Sequence, residues 1–501
     1  MRSGQLFDPL PFMDKCRVAN WKRDLKLTDI SVEQSGPGRV MVPEPMSPPL
    51  KVGVRILIAT QTEKPLEIDA GLLAQLTSPD TFCPPEPRTI AEAGLNEQFI
   101  EALLCRHLAM IGGNSGRRLA ASICLPLRLV VPILESMRNR KLLTHAGAAP
   151  LNDYNYILSE AGSEQARGHL RQSSYVGPAP VPLAEYVDSV DAQSIADEAP
   201  SRQKLLDACR NISIEPKIFD LLGPALNSCA GMFLYGAPGN GKSTLAKCVT
   251  SCFGQSIWVP HAIITNGEII KFYDSQFHKA VPEEKESLLR AESIDRRWIR
   301  VERPTVVVGG ELTLDNLELR YNKDRNVNEA PLQLKSNCGC LLIDDFGRQR
   351  IAPGELLNRW IVPLESRHDF LTLPSGRKIQ VPFQQLIIFS TNLEPEELVD
   401  EAFLRRIPYK IHMTDPSEQE FHHLFRIYCA KFGCEYRKDV VNFLLEKHYR
   451  LPGRAKRRCH ARDLLMQVRN YCRYHGHELE LLPEYLDAAV ETYFAMVLKS
   501  K

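Results

Sequence analysis

Apolar and polar positions alternate differently along the chain, and the changes of rhythm mark its parts. Residues 1–88 hold no sustained period, and proline breaks them repeatedly, in P-E-P-M-S-P-P at 43–49 and C-P-P-E-P at 83–87. Val52–Ala59 is a short apolar stretch suited to a strand, but the expectation for 1–88 is a Pro-rich N-terminal arm of unassigned fold. From 89 to 172 the spacing becomes helical. Phe99–Met110 predicts a helix stopped by Gly112-Gly113-Asn114-Ser115. Arg117–Cys124 and Leu127–Lys141 predict two more, separated at Leu125-Pro126. Leu142–His145 and Tyr154–Leu158 read as the strands of a hairpin around a loop at 146–152, and Gly162–Leu170 returns to helix.

Three helices followed by a hairpin is the order of a winged-helix module, a variant of helix-turn-helix. Residues 173–200, with G-P-A-P-V-P-L, predict a linker with a docking stretch at Tyr175–Tyr186. Over 201–413 apolar strands alternate with helical stretches, which predicts an α/β core, a parallel sheet wrapped by helices. Residues 414–501 carry only helical periodicity and predict a helical lid. The expected fold is therefore an α+β winged helix ahead of an α/β parallel-sheet core and its lid.

The chemistry concentrates in that core. Gly231–Tyr235 is a short apolar strand that runs into G-A-P-G-N-G-K-S at 236–243 and then into the helical T-L-A-K-C-V-T. Strand, G-x-x-x-x-G-K-[ST] and helix together define a phosphate-binding loop. Gly236, Gly239 and Gly241 let backbone N–H groups turn inward, while Pro238, Asn240 and Thr244 complete the loop and the first helical turn. Lys242 suits the β and γ phosphates, and the Ser243 hydroxyl suits Mg²⁺. Cys340–Ile343 is an apolar run ending in Asp344-Asp345, about 100 residues further on. Asp344 at the strand tip suits Mg²⁺, and Asp345 suits a base or water-orienting group. Gln385–Phe389 ends in Ser390-Thr391-Asn392, where Asn392 suits a water-positioning role, or simply caps a turn. Arg405 and Arg406 follow an apolar helical turn, and arginine suits charge spreading on phosphate.

In this order the elements of 201–480 resemble those of the AAA+ ATPases. G-A-P-G-N-G-K-S resembles Walker A, L-L-I-D-D Walker B, F-S-T-N sensor one, and A-F-L-R-R-I the box carrying the arginine finger. A-R-D-L-L at 461–465 resembles the sensor-two helix and nominates Arg462 as a nucleotide contact. Phe370–Val381 reads as a hairpin before the sensor-one strand. It is similar to the pre-sensor hairpin of the clade holding magnesium-chelatase, MoxR-like and helicase-type ATPases. The chain as a whole is similar to a group of bacterial winged-helix AAA+ ATPases to which no role is attached. The resemblance implies ATP and Mg²⁺ as cofactors, ATP hydrolysis, and a ring-type homo-oligomer, commonly a hexamer, in which Arg405 or Arg406 acts on a neighbour's ATP. Two positions depart from the pattern: Ala237 stands where many members have proline, and Asp345 where most have glutamate. The segment Trp258–Leu334 matches no general motif of the family.

Composition leaves the partner open. The 501 residues are 44% hydrophobic and 25% charged, with a net charge of +1, so any nucleic-acid signal has to be local. Over 97–171 nine Lys and Arg stand against six Asp and Glu, a modest excess for a DNA reader, and winged helices also dock proteins. Arg450–Arg473 holds eight cations and one acid, Asp463; this is a solvated lid face or a phosphate-backbone contact. The client is thus DNA or a protein complex. A nucleotide-gated DNA regulator and a protein-docking adaptor are the rival readings. The fourteen cysteines show no C-x-x-C pair and suit buried, reduced thiols. No secretory signal and no run of about 18 apolar residues stands out, so the expectation is a cytoplasmic protein without membrane contact.

Overall fold

A computed structural model describes residues 82–494, apart from 211, 213, 255, 283–293 and 325. All but the last seven residues of the expected arm lie outside that range.

The first described unit follows the expected rhythm. Asn96 caps the helix Glu97–Ile111 by accepting from the Phe99 N–H at 2.7 Å, and Gly112 at φ +86° ends it. Helices Gly116–Ser122 and Leu127–Asn139 follow, then the strands Leu143–Ala149 and Asp153–Leu158, and a further helix Glu160–Gln172. Asn114–Ser115 adds a third antiparallel strand beside Asp153–Leu158. Leu103, Leu104, Val130, Leu134 and Met137 close the core between the helices.

Residues 173–200 fold as more than a connection. Val181–Pro182 pairs in parallel with Ala262–Thr265, and Leu183–Ala192 is a ten-residue helix that buries Tyr186 and Val190 at i and i+4. The proline-rich composition of 177–182 conceals the strand, because Pro182 sits where the short strand ends. In the described part of the region without motif, the regular elements are mainly short strands. Ser256–Pro260 pairs antiparallel with Trp298–Glu302, and a five-stranded sheet runs Arg320–Asn322, Val327–Glu329, Glu268–Lys271, Ala262–Thr265, Val181–Pro182. Ala262, Ile269 and Val327 of that sheet pack into the core of the N-terminal unit.

Arg297 pins this junction. It is buried with Asp295, to which it is paired at 2.8 Å, and its Nη1 donates to the carbonyls of Ala93 at 2.7 Å and Pro180 at 3.4 Å. One guanidinium thus ties three stretches of chain distant in sequence. Truncating it leaves the buried Asp295 carboxylate with only the backbone N–H of residue 297, and takes the side-chain donor from two carbonyls. Arg297→Ala is expected to cost about 3–5 kcal/mol in chemical denaturation. The double variant Arg297→Met with Asp295→Leu is expected to recover much of that loss.

The second unit is built on five parallel strands. Their order from edge to edge is Thr305–Val308, Cys340–Ile343, Leu386–Thr391, Met232–Tyr235, Tyr409–His412. Cys340–Ile343 and Leu386–Thr391 are buried throughout, which accounts for their unbroken apolar sequence. The chain leaves Met232–Tyr235 for the far edge, returns inward, and finally crosses to the other side of Met232–Tyr235. That strand is therefore where the order reverses, and its carboxyl end is the position at which open sheets of this kind take ligands. The hairpin His368–Thr372 and Lys378–Pro382 stands immediately before Leu386–Thr391. Arg359 grips its base, bonding both Asp369 carboxylate oxygens at 2.7 and 3.0 Å. Helices Glu418–Phe432, Lys438–Leu445, Arg458–His475 and Pro483–Phe494 make the lid, around Phe421, Phe425, Leu464, Leu465 and Val468.

Candidate nucleotide-binding site

The turn after Met232–Tyr235 needs its glycines. Gly236, Gly239 and Gly241 lie at φ +129°, +83° and +85°, in the region that favours glycine. At Gly239 a Cβ would also stand 2.5 Å from the Cys459 Sγ of the lid, so the loop has no room for a side chain there. Lys242 opens the helix Lys242–Val249, which presents its N-terminal N–H groups to the carboxyl end of the sheet. Pro238 and Thr244 are exposed, while Ser243 is half-buried.

The carboxyl ends of three neighbouring strands deliver the polar groups. The Lys242 Nζ donates to the carbonyls of Gly236 at 2.9 Å and Ala237 at 3.1 Å, and to the Asn392 Oδ1 at 2.7 Å. The Ser243 Oγ donates to the Asp344 Oδ1 at 2.8 Å. The Asn392 Nδ2 reaches the Asp345 Oδ1 at 3.4 Å. Asp345 is exposed at φ +50°, a strained conformation for a residue with a side chain, and the Gln349 amide braces the turn by donating to the carbonyls of Asp344 and Asp345. The structure therefore brings together Lys242, Ser243, Asp344, Asp345 and Asn392, which lie up to 150 residues apart.

These residues fit a phosphate and a divalent cation. Lys242 is buried, and that burial holds its ammonium below its ordinary pKa; the Arg457 guanidinium pushes the same way, while Asp344 and Asp345 oppose. Its three oxygen partners are uncharged, so an anion offers it a stronger partner. Ser243 and Asp344 present oxygen ligands side by side. Among the described residues no cluster of three or more His, Cys, Asp or Glu side chains is placed to hold a metal. Mg²⁺ binding here would thus draw on phosphate oxygens and water, the usual arrangement for that ion.

The arginines are placed differently from one another. Arg405 and Arg406 end the helix Glu401–Arg406, which leads into the edge strand Tyr409–His412. Arg406 pairs with Glu365 at 2.6 Å and is half-buried. Arg405 is exposed and has no recorded polar partner among the described residues. Arg462 is exposed and bonds Asp463 of its own helix at 2.7 Å. The lid residues that touch the loop are Arg457, Arg458 and Cys459: the Cys459 N–H donates to the Gly239 carbonyl at 2.9 Å, and the Arg458 N–H to the Asn240 Oδ1 at 3.4 Å. Sequence reasoning took Arg457 only as one cation of the cluster read as a solvated face or a phosphate-backbone contact, and missed Asp415. The signal was there in the run Lys456-Arg457-Arg458, three cations at a helix N-terminus, where the macrodipole disfavours them.

Beside Asn240 a groove of about 690 Å3 lies between the segment before the core and the lid, with Ile212, Ile214, Pro216, Thr414, Asp415 and His423 in its walls.

Residues 417–492 match the model of a domain of unknown function (DUF8689). Over 224 residues the chain is similar, at 26% identity, to the uncharacterized protein ORF529 of Acidianus two-tailed virus, covering 43% of this chain and 34% of that one. The chain thus spans about a third of the curated relative it matches. Among solved structures it is similar to NtrX from Brucella abortus, at 14% identity and TM-score 0.35, over 55% of this chain and 54% of that chain. It is also similar to the magnesium chelatase complex of BchI and BchD, at 16% identity and TM-score 0.28, over 60% and 95%. Scores this far below 0.5 leave the fold to be read from the chain's own sheet order.

The lid's arginines are largely committed within the chain. Arg450 bonds Glu418 and Glu446, Arg457 bonds Asp415, Arg458 bonds Glu420, and Arg454 lies 3.7 Å over the Phe494 ring. In the N-terminal unit Arg128 pairs with Glu86 at 2.9 Å and Arg140 with Glu101.

The lid also carries a pH dependence. His460 is buried, accepts from the Arg457 N–H at 3.3 Å, and bonds the Tyr449 hydroxyl at 2.9 Å. Burial, with the Arg457 charge behind it, pushes its pKa down to about 4. A folded pKa below the unfolded value of about 6.5 means the unfolded chain binds the extra proton. Stability from His460 is full above pH 6.5 and is lost as pH falls towards 4, on the order of 3 kcal/mol. Burial lowers His107, His261 and His278 in the same direction. The thermal midpoint is expected to drop between pH 7.5 and 5, and to drop less in His460→Gln.

Proposed function

We propose that this chain binds ATP with Mg²⁺ and hydrolyses it, as a homo-oligomeric ATPase of the AAA+ type that remodels or loads a client. The observation that carries the reading is the meeting of Lys242 with Asn392 and of Ser243 with Asp344 where the sheet order reverses. In this reading the loop N–H groups and Lys242 hold the phosphates. Ser243 and Asp344 hold Mg²⁺, which would neutralise charge on the phosphate oxygens. The Asp345 carboxylate accepts a proton from the attacking water, and Asn392 keeps that carboxylate and the Lys242 ammonium in register. Asp345 is shorter than glutamate, and slow turnover is the expected consequence. The groove between Ile214 and His423 takes the nucleoside. Arg405, exposed beside the edge strand, reaches a neighbouring subunit's phosphates, whereas Arg406 is held by Glu365.

The N-terminal helices and hairpin serve as a winged helix that meets the client. The pairing of Arg128 with Glu86 and of Arg140 with Glu101 favours a protein client over DNA. The deciding measurement is Mg²⁺-dependent ATP hydrolysis with and without duplex or single-stranded DNA, beside size analysis with and without nucleotide. Hydrolysis indifferent to DNA, with nucleotide-dependent oligomers, supports this reading. Strong stimulation by DNA would move the client to nucleic acid. A monomer inactive under every condition would overturn the ATPase itself.

A further inference from the structure

The sheet of the N-terminal unit has one open edge. Leu143–Ala149 pairs only with Asp153–Leu158 and forms the border of that sheet. Among the described residues, no hydrogen bond is recorded from the backbone of 144–149 to any third segment. Every other edge strand among the described residues has five residues or fewer, against seven here. Apart from Asn114–Ser115 and Thr305–Val308, each of those also carries a charged residue or a proline. Charge, proline and shortness are the usual guards against an added strand. The run L-T-H-A-G-A-A holds no Asp, Glu, Lys, Arg or Pro. Thr144, Ala146, Gly147 and Ala148 are exposed, and the small ones leave room for another backbone at the usual strand spacing. One guard is present, a bulge between His145 and Gly147. It bends and twists the strand, which disfavours flat pairing of this edge with the same edge of a second copy. Where the strand starts, Arg138 and Lys141 are exposed, and among the described residues neither has a recorded carboxylate partner. The Arg138 Nη1 lies 3.5 Å from the His145 Nε2, so its charge sits beside the strand.

We propose that Leu143–Ala149 is a strand-addition site, on which an extended segment of a protein client pairs antiparallel and sets acidic side chains at its carboxyl end against Arg138 and Lys141. The proposal rests on the reading that the N-terminal unit meets a protein. A row of unpaired N–H and C=O groups matches another extended backbone. A helix spends those groups on itself. Antiparallel pairing continues the pattern of the sheet and brings the guest's carboxyl end to Leu143, where the two cations stand. The small side chains of the edge select little. The ladder therefore supplies the affinity, and the cations set the direction of the guest.

The test uses the full-length chain and a labelled synthetic peptide of alternating valine and threonine, as long as the strand, with a pair of aspartates at its carboxyl end. Affinity is read by fluorescence anisotropy, and amide exchange is followed over 143–149. Saturable binding with slowed exchange across 143–149 is expected. The same peptide methylated at every amide keeps its side chains but loses its donors, and should bind roughly 10- to 100-fold more weakly. Arg138→Gln should weaken the unmethylated peptide several-fold at low salt and less at high salt. Binding as tight after methylation, or exchange over 143–149 that the peptide does not slow, would overturn the proposal. Exchange that slows with protein concentration in the absence of peptide would give the edge to a second copy and overturn it too. If the peptide fails while ATP hydrolysis stays indifferent to DNA, only the strand-addition site falls. If the peptide fails and DNA strongly stimulates hydrolysis, the protein-client reading falls with it.

Discussion

Lys242→Ala is expected to abolish ATP turnover, by at least about 10²–10³-fold, with nucleotide binding weakened alongside. The lysine is buried at the mouth of the loop, and all three of its recorded hydrogen bonds go to uncharged oxygens. It has little solvent to lose when phosphate arrives, so most of its charge is spent on the ligand. The variant should fold, because a smaller apolar side chain replaces a desolvated cation. A thermal midpoint within a few degrees of wild type, with hydrolysis at background, is the expected result. Unchanged hydrolysis would mean that the activity belongs to another site or to a contaminant.

Arg405→Ala is expected to lower turnover about 10³-fold or more while leaving ATP affinity near wild type. Arg405 is exposed, so its contribution has to come from outside its own site. Arg406→Ala should act differently: it breaks the bond to Glu365 and should show a stability loss first. Mixing separates the two. Arg405→Ala subunits keep a complete loop, and Lys242→Ala subunits keep the arginine. Each is inactive alone, and the mixture should regain hydrolysis if the arginine crosses a subunit boundary. A mixture as inactive as its components would place Arg405 outside the reaction.

The local elements and the first ring of site residues were legible because their physics is short-range. A strand, a glycine turn and a helix N-terminus lie within about twenty residues of each other, and Asp344 and Asn392 each end a buried apolar run. The helices at 97–111 and 127–139 announced themselves through apolar spacing, bounded by Gly112 after the first and Pro126 before the second. What stayed hidden depends on pairing between distant segments. Val181–Pro182 is too short for any period and becomes a strand only against Ala262–Thr265. The region 258–334 is a mosaic of three- to five-residue strands whose partners lie up to about eighty residues away. Arg457 was masked by its neighbours: a run of five cations within Arg450–Arg458 looks like a solvated face until each guanidinium is seen with its own carboxylate or ring.

Val181–Pro182 and Arg297 settle how the N-terminal helices are carried. A module on a loose tether searches its surroundings and transmits no torque. Here the exit from the helices is woven into a sheet of the neighbouring region, and a buried ion pair locks the seam. A rotation of that sheet must sweep the hairpin tip at 150–152 through an arc, as a crank turns its handle. Whatever client rests on that tip would be pushed rather than merely held.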